Sequence, residues 1–425
     1  MKTAGIIAEY NPFHNGHRLH MERTRQETGA DYMIVVMSGS FVQRGEPALT
    51  DKYARTRAAL LAGADLVIEL PVLFAAGSAG DFAMGAVSLL EKLGVVDVLS
   101  FGSECGDVGL LCEAAVLLDG EDPAFSETLK SGLRQGMSFP AARMAALRAC
   151  LPGLEREDLF TLPNNILGLE YCRALHVQNS AICPVTIKRE GAAYHDAALP
   201  ETGKTASPVS AAALRRALQE GAGQTAGEKA SQLFGKTAPF IPEGLHPLWR
   251  EILTQDRLLF PKDLTRELRY RLLSEREKGF GAYADVSREL SDKLQKNCLD
   301  FGDWKELCAL LKTREITYGR ISRALCRILL GISKEQLQAA RETGYVPYAR
   351  ILGFRKRATP LLSAIKKNSG IPLVSKLADA RFLLSGDAPG MLQKDILASH
   401  LYGSALFSRT GRPPENEYTR EIVMV

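Results

Sequence analysis

The 425-residue sequence contains no run of about eighteen apolar residues, the length that a membrane-spanning helix requires. Its N-terminus also lacks the uninterrupted apolar segment of a secretory signal. Eight cysteines are present, but no two of them form a Cys-x-x-Cys pair. The cysteines therefore favour reduced, buried thiols over a disulfide framework or a zinc site. With a hydrophobic fraction of 46%, these absences predict a globular, cytoplasmic protein that neither spans nor enters a membrane.

Basic residues are scarce in the first half of the chain and abundant in the second. Residues 1–230 contain 21 Lys and Arg against 27 Asp and Glu, whereas residues 231–425 contain 32 against 22. The resulting net charges of −6 and +10 lead us to expect a polyanion on the second half. A chain of this length is expected to form two or three domains. We place a boundary in the small, polar segment 221–231, between a domain of residues 1–230 and a domain of residues 231–425.

Five apolar runs are spaced along the first half, with helical segments between them. Each has the length and composition of a buried parallel strand, and they span residues 4–10, 31–37, 65–71, 95–101 and 182–189. This alternation predicts an α/β fold with a doubly wound parallel sheet, whose ligand crevice lies beyond the carboxyl ends of the strands. Apolar residues of the second half follow a helical period, so we expect a mainly helical domain there.

The first strand leads directly into His14-Asn15-Gly16-His17, and an amphipathic helix follows from Arg18. This order places two imidazoles at the first turn of a helix, where free amides and the positive end of the helix dipole attract a phosphate. Gly16 has no Cβ, which lets a nucleotide lie close to the backbone. The alternative is a helix-capping His and a packed His after an ordinary turn. The position directly after the first strand favours ATP binding.

Residues 38–47 follow the second strand and carry glycines, Gln43 and Arg44. They are interpreted either as a substrate loop or as a plain connection between a strand and a helix. Residues 41–44 lie between Gly39 and Gly45, with an apolar pair followed by two polar residues. This composition predicts a lid that excludes water from a reactive intermediate.

Two further elements are candidates for phosphate binding. Arg189 ends the fifth predicted strand at the crevice, although a solvated strand end explains it equally well. Ser210 lies at a helix start with Arg215 five residues later. Together they offer a hydroxyl, backbone amides and a guanidinium to a polyphosphate.

Two basic stretches of the second half predict RNA binding. Arg320, Arg323 and Arg327 are spaced at i, i+3 and i+7, so one helix face would present three guanidiniums. Residues 343–378 contain no Asp or Glu. A charge run is usually a solvated surface, but the lack of balancing acids favours a nucleic acid. The candidate contacts in that second stretch are Arg355, Lys356 and Arg357.

Several of these motifs together resemble one family. The strand followed by His-x-Gly-His resembles the Rossmann-like core of the nucleotidylyltransferase superfamily, and Ser210 to Arg215 looks like a degenerate form of its Ser-x-x-x-Ile-Arg signature. The Lys-rich second signature of the related aminoacyl-tRNA synthetases is absent, which disfavours aminoacylation. The chain as a whole is similar to the bacterial tRNA(Met) cytidine acetate ligase family. The matching segments are residues 6–17, 38–47, 163–168, 188–189, 194–196 and 313–332.

The resemblance implies an enzyme that forms acetyladenylate from ATP and acetate, and then acetylates the wobble cytidine of elongator methionine tRNA to N4-acetylcytidine. We predict that His14 and His17 are catalytic and that Mg²⁺ accompanies ATP. Acetate is already ionised at neutral pH, so its activation requires placement and charge neutralisation but no general base. By position, ATP would contact Ile7, Ala8, Glu9, Tyr10, Asn11, Pro12, Phe13, His14, Asn15, Gly16, His17, Arg18, Leu19, His20, Gly102, one of Asn164 or Asn165, and Arg189.

Two other classes of function stay open at this point. A small-metabolite adenylyltransferase would use the same core, although it would not need the basic second half. A non-catalytic RNA-binding protein on a nucleotide-binding fold is the other alternative.

Overall fold

The computed structural model describes residues 1–120, 122–137, 139–151, 162–189, 209–219 and 226–425. Its strands are β1 (Thr3–Ala8), β2 (Tyr32–Ser38), β3 (Phe41–Val42), β4 (Glu46–Pro47), β5 (Leu66–Leu70), β6 (Val98–Ser103), β7 (Cys183–Lys188), β8 (Ala349–Phe354), β9 (Leu373–Val374) and β10 (Val423–Met424).

The helices of the first half are α1 (Asn15–Thr28), α2 (Lys52–Leu61), α3 (Val72–Ala75), α4 (Ala79–Lys92), α5 (Val108–Leu118), α6 (Pro123–Arg134), α7 (Phe139–Cys150), α8 (Pro163–Val177), α9 (Ala211–Gln219) and α10 (Ala226–Thr237). Those of the second half are α11 (His246–Thr254), α12 (Thr265–Glu275), α13 (Arg288–Asn297), α14 (Trp304–Leu311), α15 (Tyr318–Leu330), α16 (Lys334–Glu342), α17 (Thr359–Asn368), α18 (Ala380–Leu383) and α19 (Ala388–Thr410). Within the described ranges, every helix is too short or too polar to cross a lipid bilayer.

One eight-stranded sheet organises the molecule, in the order β10-β8-β5-β2-β1-β6-β7 with β9 beside β8. Strands β5, β2, β1, β6 and β7 run parallel to one another, and each corresponds to one of the five predicted runs. The predicted doubly wound parallel sheet is therefore confirmed. The chain moves from β1 through β2 to β5 and then returns to β6, on the other side of β1. The topological switch point, where such sheets bind ligands, thus lies between β1 and β6.

The second half of the chain also contributes to this sheet, which the helical period did not predict. β8 pairs antiparallel with β5, and β9 and β10 pair with β8. β8 was missed because it is a short, buried apolar run without alternation, and such a run does not distinguish a strand from a helix. The boundary between residues 230 and 231 stays a prediction, and residues 220–225 lie outside the described ranges.

Buried side chains cover both faces of the sheet. Ile34 and Val36 of β2 belong to one apolar cluster, whereas Met33 and Val35 belong to the other. This alternation follows from the two-residue period of a strand. In the described part of the chain both faces are covered, which leaves the edges of the sheet and the strand ends for ligands.

Four charged side chains from β5, β8, α2 and the C-terminal segment form a buried group that we call the ionic cluster: Lys52, Glu69, Arg350 and Glu417. Lys52 Nζ lies 2.9 Å from Glu69 Oε1 and 3.0 Å from Glu417 Oε2. Arg350 Nη1 lies 2.9 Å from Glu69 Oε2. Burial by itself would raise the pKa of Glu417, but Lys52 and Arg350 lower it to about 2. Each buried charge therefore faces an opposite charge, as burial of ions requires.

Candidate active site

A cleft lies at the switch point, beyond the carboxyl ends of β1 and β6, and we call it the switch-point cleft. It consists of two adjoining hollows. The first hollow extends to Phe101 and Gly102 at the end of β6, and the second extends to His14, Ser210 and Arg215. The residues that line both hollows are Glu9, His17, Gln43, Asn164, Leu167, Arg189 and Ala211.

His14 and His17 are held in a fixed orientation at the start of α1. His14 is the N-cap residue, and its Nδ1 accepts a hydrogen bond from the Gly16 amide at 3.0 Å. His17 Nδ1 accepts from the His14 amide at 3.3 Å, and the two rings stack with their centroids 3.8 Å apart. Because each Nδ1 is an acceptor, the neutral tautomer carries its proton on Nε2. Each ring therefore offers one Nε2–H donor.

The histidines of the cleft are neutral at pH 7. Burial, followed by Arg189 and Arg215, lowers the pKa of His14 to about 3. Burial also lowers the pKa of His17 well below its ordinary value, with a further contribution from His14. For His20, burial and Arg189 lower the pKa to about 4. A phosphate in this cleft would thus meet neutral hydrogen-bond donors whose protons are already in place.

Arginines supply the positive charge of the cleft. Arg215 Nη1 donates to the backbone oxygen of Asn11 at 2.7 Å, and burial together with Arg44 lowers the pKa of Arg215. A Cβ at Gly102 would lie only 3.3 Å from Cγ of Arg189, so this glycine leaves room for the arginine. Ser210 Oγ accepts from the Ala213 amide at 3.2 Å and thereby caps α9. This combination of donors and cations suits a polyphosphate.

The two candidate asparagines, Asn164 and Asn165, have different surroundings. Asn165 is 1% exposed, and its Oδ1 accepts hydrogen bonds from the amides of Glu104 and Cys105 at 2.9 and 3.0 Å. Asn164 lines both hollows and donates through Nδ2 to the Glu104 carboxylate. Asn164 is therefore available to a ligand, whereas Asn165 supports the turn after β6.

Only part of segment 7–20 faces the cleft. The lining residues are Ile7, Ala8, Glu9, Tyr10, Asn11, His14, His17 and His20. Pro12, Phe13, Asn15, Gly16, Arg18 and Leu19 are not among the lining residues. Phe13 lines a narrow apolar cavity with Trp249, and the exposed Arg18 pairs with Glu22 at 2.7 Å. The strand end and the inward positions of α1 thus line the cleft, and the contacts of ATP with segment 7–20 stay a prediction.

Residues 40–47 form a packed hairpin in which β3 and β4 pair antiparallel. Phe41 and Val42 are at most 1% exposed. Gly45 has a φ of +71°, and a Cβ there would clash with the backbone of Arg323. Ser322 Oγ donates to the Gly45 oxygen at 3.1 Å. This packing places the hairpin between the cleft and α15, and its role as a lid stays a prediction.

The three arginines of α15 differ in their surroundings. Arg327 is 0% exposed and pairs with Asp285 at 3.1 Å and Asp81 at 3.5 Å. Its predicted contact with tRNA is therefore wrong, because a tRNA cannot reach a fully buried side chain. Arg323 is partly exposed and pairs with Asp285 at 3.4 Å. Arg320 is also partly exposed, and no ion pair involves it in the part of the chain that the structure describes.

The second predicted basic stretch lies at the opposite edge of the sheet. Phe354, the last residue of β8, pairs with Leu66, the first residue of β5. Arg355, Lys356 and Arg357 therefore lie near the amino ends of the parallel strands, away from the cleft. Arg357 Nε is 2.6 Å from Asp65 Oδ1. The structure does not bring these three residues together with Arg320.

Arg55 has a role at the site that the sequence analysis missed. It is 2% exposed and donates to the backbone oxygens of Glu9 at 2.7 Å and Ser38 at 2.9 Å, and also to Gly39. One guanidinium thus holds together the chain after β1 and the chain after β2. No signal in the sequence singled it out, because α2 also carries Lys52 and Arg57. The matching segment 194–196 lies outside the described residues.

Comparison with known proteins gives a consistent result. The chain matches the family described as HIGH Nucleotidyl Transferase over residues 1–416. It is 38% identical to the tRNA(Met) cytidine acetate ligase of Acetivibrio thermocellus over all of both chains, and 38% identical to that of Clostridium perfringens over 95% of each. A crystal structure of Thermotoga maritima TmcAL bound with alpha-thio ATP has a TM-score of 0.87 to this chain, at 30% identity and full coverage of both. The chain belongs to the tRNA(Met) cytidine acetate ligases, within the HIGH nucleotidyl transferases.

Proposed function

We propose that this chain is an ATP-dependent acetate ligase. It activates acetate as acetyladenylate with release of pyrophosphate, and transfers the acetyl group to N4 of the wobble cytidine of elongator methionine tRNA. Full-length similarity to enzymes named tRNA(Met) cytidine acetate ligase supports this function. The observation that carries it is the switch-point cleft, where two oriented Nε2–H donors accompany Arg189 and Arg215.

ATP binds in the switch-point cleft, with its phosphates at His14, His17, Arg189 and Arg215. Likeness to a TmcAL structure bound with alpha-thio ATP supports this placement. The hollow near Gly102 also contains the rings of Phe101 and Tyr171, which suit a purine base. An acetate oxygen attacks the α-phosphorus, and pyrophosphate leaves with the electrons of the broken P–O bond. The oriented donors and the arginines stabilise the charge that develops on the phosphates.

Mg²⁺ accompanies ATP in this proposal. The described part of the chain contains no group of three or more His, Cys, Asp or Glu side chains arranged to hold a metal ion. Mg²⁺ commonly keeps several waters and binds through the phosphates of its nucleotide. Phosphate oxygens of ATP and water molecules would therefore supply most of the ligands of Mg²⁺. The cleft would orient the complex of Mg²⁺ and ATP.

The tRNA binds next to the cleft, along α15. Arg320 and Arg323 lie on this helix, whose backbone contacts the hairpin at Gly45. Their positive charge attracts the phosphate backbone. The hairpin then leads from this surface to Gln43 and Arg44 in the cleft.

The decisive experiment measures ATP/pyrophosphate exchange with and without acetate, followed by nucleoside mass spectrometry of tRNA incubated with the enzyme. Acetate-dependent exchange and N4-acetylcytidine in methionine tRNA are expected. Exchange that depends on another acceptor, without acetylcytidine, would indicate a small-metabolite adenylyltransferase. Absence of exchange with retained tRNA binding would indicate a non-catalytic RNA-binding protein.

A further inference from the structure

Glu9 and Gln43 meet at the wall between the two hollows of the cleft. Both residues line both hollows. Glu9 Oε1 accepts a hydrogen bond from the backbone amide of Gln43 at 2.8 Å, and the backbone oxygen of Glu9 accepts from Arg55 at 2.7 Å. The Glu9 carboxylate and the start of the hairpin turn therefore have a fixed mutual orientation.

The charge of Glu9 is not explained by binding of the ATP phosphates. Of the described residues that line the two hollows, Glu9 is the single acid, and it lies among His14, His17, Arg189 and Arg215. A carboxylate repels a triphosphate, so its place in the cleft indicates a ligand group that carries N–H donors or a cation. In the described part of the chain, neither Glu9 Oε2 nor the Gln43 side-chain amide has a hydrogen-bond partner. Both groups are thus available to a ligand.

The donor and acceptor pattern of the pair matches the edge of cytosine that is to be acetylated. Cytosine presents an N4 amine with two hydrogens beside N3, which is an acceptor. A carboxylate oxygen accepts from N4–H, and the Gln43 amide nitrogen donates to N3. Uracil presents an oxygen and an N3–H at the same places, so it would face the carboxylate with an oxygen. This mismatch leaves buried polar groups unpaired and disfavours uracil.

The hairpin also gives a route from the tRNA to this pair. Its turn at Gly45 rests on α15 at Ser322 and Arg323, and Arg320 lies three residues earlier in the same helix. A nucleotide of an RNA bound along α15 would reach Gln43 and Arg44 before any residue deeper in the cleft. Arg44 is exposed at this end of the cleft.

We propose that Glu9 and Gln43 form the acceptor-base subsite, which recognises the N4 and N3 edge of cytosine, and that Glu9 accepts the N4 proton. This inference rests on the proposed function. In the transfer step, N4 attacks the carbonyl carbon of the acetyl group, and the C–O bond to the phosphate breaks. AMP leaves with the electron pair of that bond, and the N4 proton moves to the Glu9 carboxylate. General base catalysis of this kind contributes about a hundredfold or more.

The test compares two rates for each variant: acetate-dependent ATP/pyrophosphate exchange without tRNA, and single-turnover formation of N4-acetylcytidine. The variants are Glu9→Gln, Gln43→Leu and, as a matched control on the exposed face of α1, Gln26→Leu. Relative to exchange, transfer should fall on the order of a hundredfold in Glu9→Gln and tenfold in Gln43→Leu. The control should keep the ratio of the wild-type enzyme. A tRNA with uridine at the wobble position serves as a competitor, and Glu9→Gln should reduce the preference for cytidine, because an amide can donate to O4 of uracil and a carboxylate cannot.

Several outcomes would overturn the subsite. Equal losses of exchange and transfer in both variants would place the pair in ATP binding. Recovery of exchange and transfer in Glu9→Gln at raised Mg²⁺ would make Glu9 a metal ligand. An unchanged preference for cytidine in a folded Glu9→Gln variant would remove Glu9 from base recognition. A wild-type enzyme without acetate-dependent exchange would instead refute the proposed function.

Discussion

The switch-point cleft and the ionic cluster both bring cations together, but the cations of the ionic cluster are buried beside acids and those of the cleft are at least partly exposed. In the ionic cluster, Lys52 and Arg350 each contact carboxylates at about 3 Å. In the cleft, Arg215 is bonded to a backbone oxygen, and burial and Arg44 lower its pKa. Paired charges hold strands and helices together, whereas cations without an equal number of acids favour an anionic ligand. Burial of the cations and the number of acids around them thus distinguish the structural cluster from the binding site.

The largest expected effect is on stability, from Glu69→Gln in the ionic cluster. This change leaves Lys52 and Arg350 with too little negative charge in a buried site, so the free energy of unfolding should fall by about 3–5 kcal/mol. Urea denaturation measures it. The matched control is Glu289→Gln, which breaks an exposed pair with Lys293 and should cost less than about 0.5 kcal/mol. Similar losses of unfolding free energy in Glu69→Gln and Glu289→Gln would show that the ionic cluster contributes no more to stability than an exposed ion pair.

The next effect is on catalysis, from His14→Asn in the cleft. Asparagine is a good N-cap residue, so the start of α1 should stay stable, but the side chain lacks the Nε2–H donor. Acetate-dependent exchange should fall on the order of a hundredfold, as after loss of one oriented donor. His14→Ala should show the same loss of rate and lose about 1 kcal/mol of stability as well. Wild-type exchange in His14→Asn would restrict His14 to helix capping.

Acidification should lower the stability of the folded protein through the histidines of the cleft. The pKa of His20 is about 4 in the folded protein against 6.5 as its ordinary value. Between these values the unfolded chain binds more protons, so the free energy of unfolding decreases as the pH falls below 6.5. The contribution of one histidine is at most about 1.4 kcal/mol per pH unit. Urea denaturation at pH 7, 6 and 5 should give a shallower slope of unfolding free energy against pH for His20→Asn than for the wild-type protein. An equal slope would contradict the neutral state of His20.

The smallest expected effect concerns the two basic stretches at opposite edges of the sheet. Arg320→Ala should weaken tRNA binding and reduce the slope of log K against log salt concentration by about 1, because one phosphate contact is lost. Lys356→Ala, on the far edge, should leave both quantities close to those of the wild-type protein. Filter binding over a range of salt concentrations measures them. An equal loss in the two variants would mean that the tRNA spans both edges.

Local features of the sequence predicted that the candidate residues after the first strand would lie together at one cleft. A buried strand, a His-x-Gly-His turn and a helix start are contiguous, so their geometry is set within about twenty residues. The two interpretations of His14 are also compatible: it caps α1 through Nδ1 and lines the cleft. The capping bond fixes the tautomer that makes Nε2 a donor, so one residue fulfils both roles.

Features that depend on distant partners were not predictable in the same way. A helical period groups Arg320, Arg323 and Arg327 on one face, but it does not show that Asp81 and Asp285 pack against the last of them. Likewise, adjacent asparagines look alike in sequence, and only the turn after β6 distinguishes Asn165 from Asn164. β8 is recognised as a strand only through its pairing with β5.

The pairing of β8 with β5 has a consequence for synthesis of the chain. Leu66–Leu70 is completely buried in the finished protein, yet its outer edge stays without a partner until residues 349–354 leave the ribosome. During that interval the nascent chain carries an open apolar strand edge, which is a template for aggregation. Arg350 arrives with β8 and supplies charge to Glu69 at the same moment. The last strands to be translated therefore seal the first ones, and a chain interrupted before residue 349 would leave the ribosome with its sheet open.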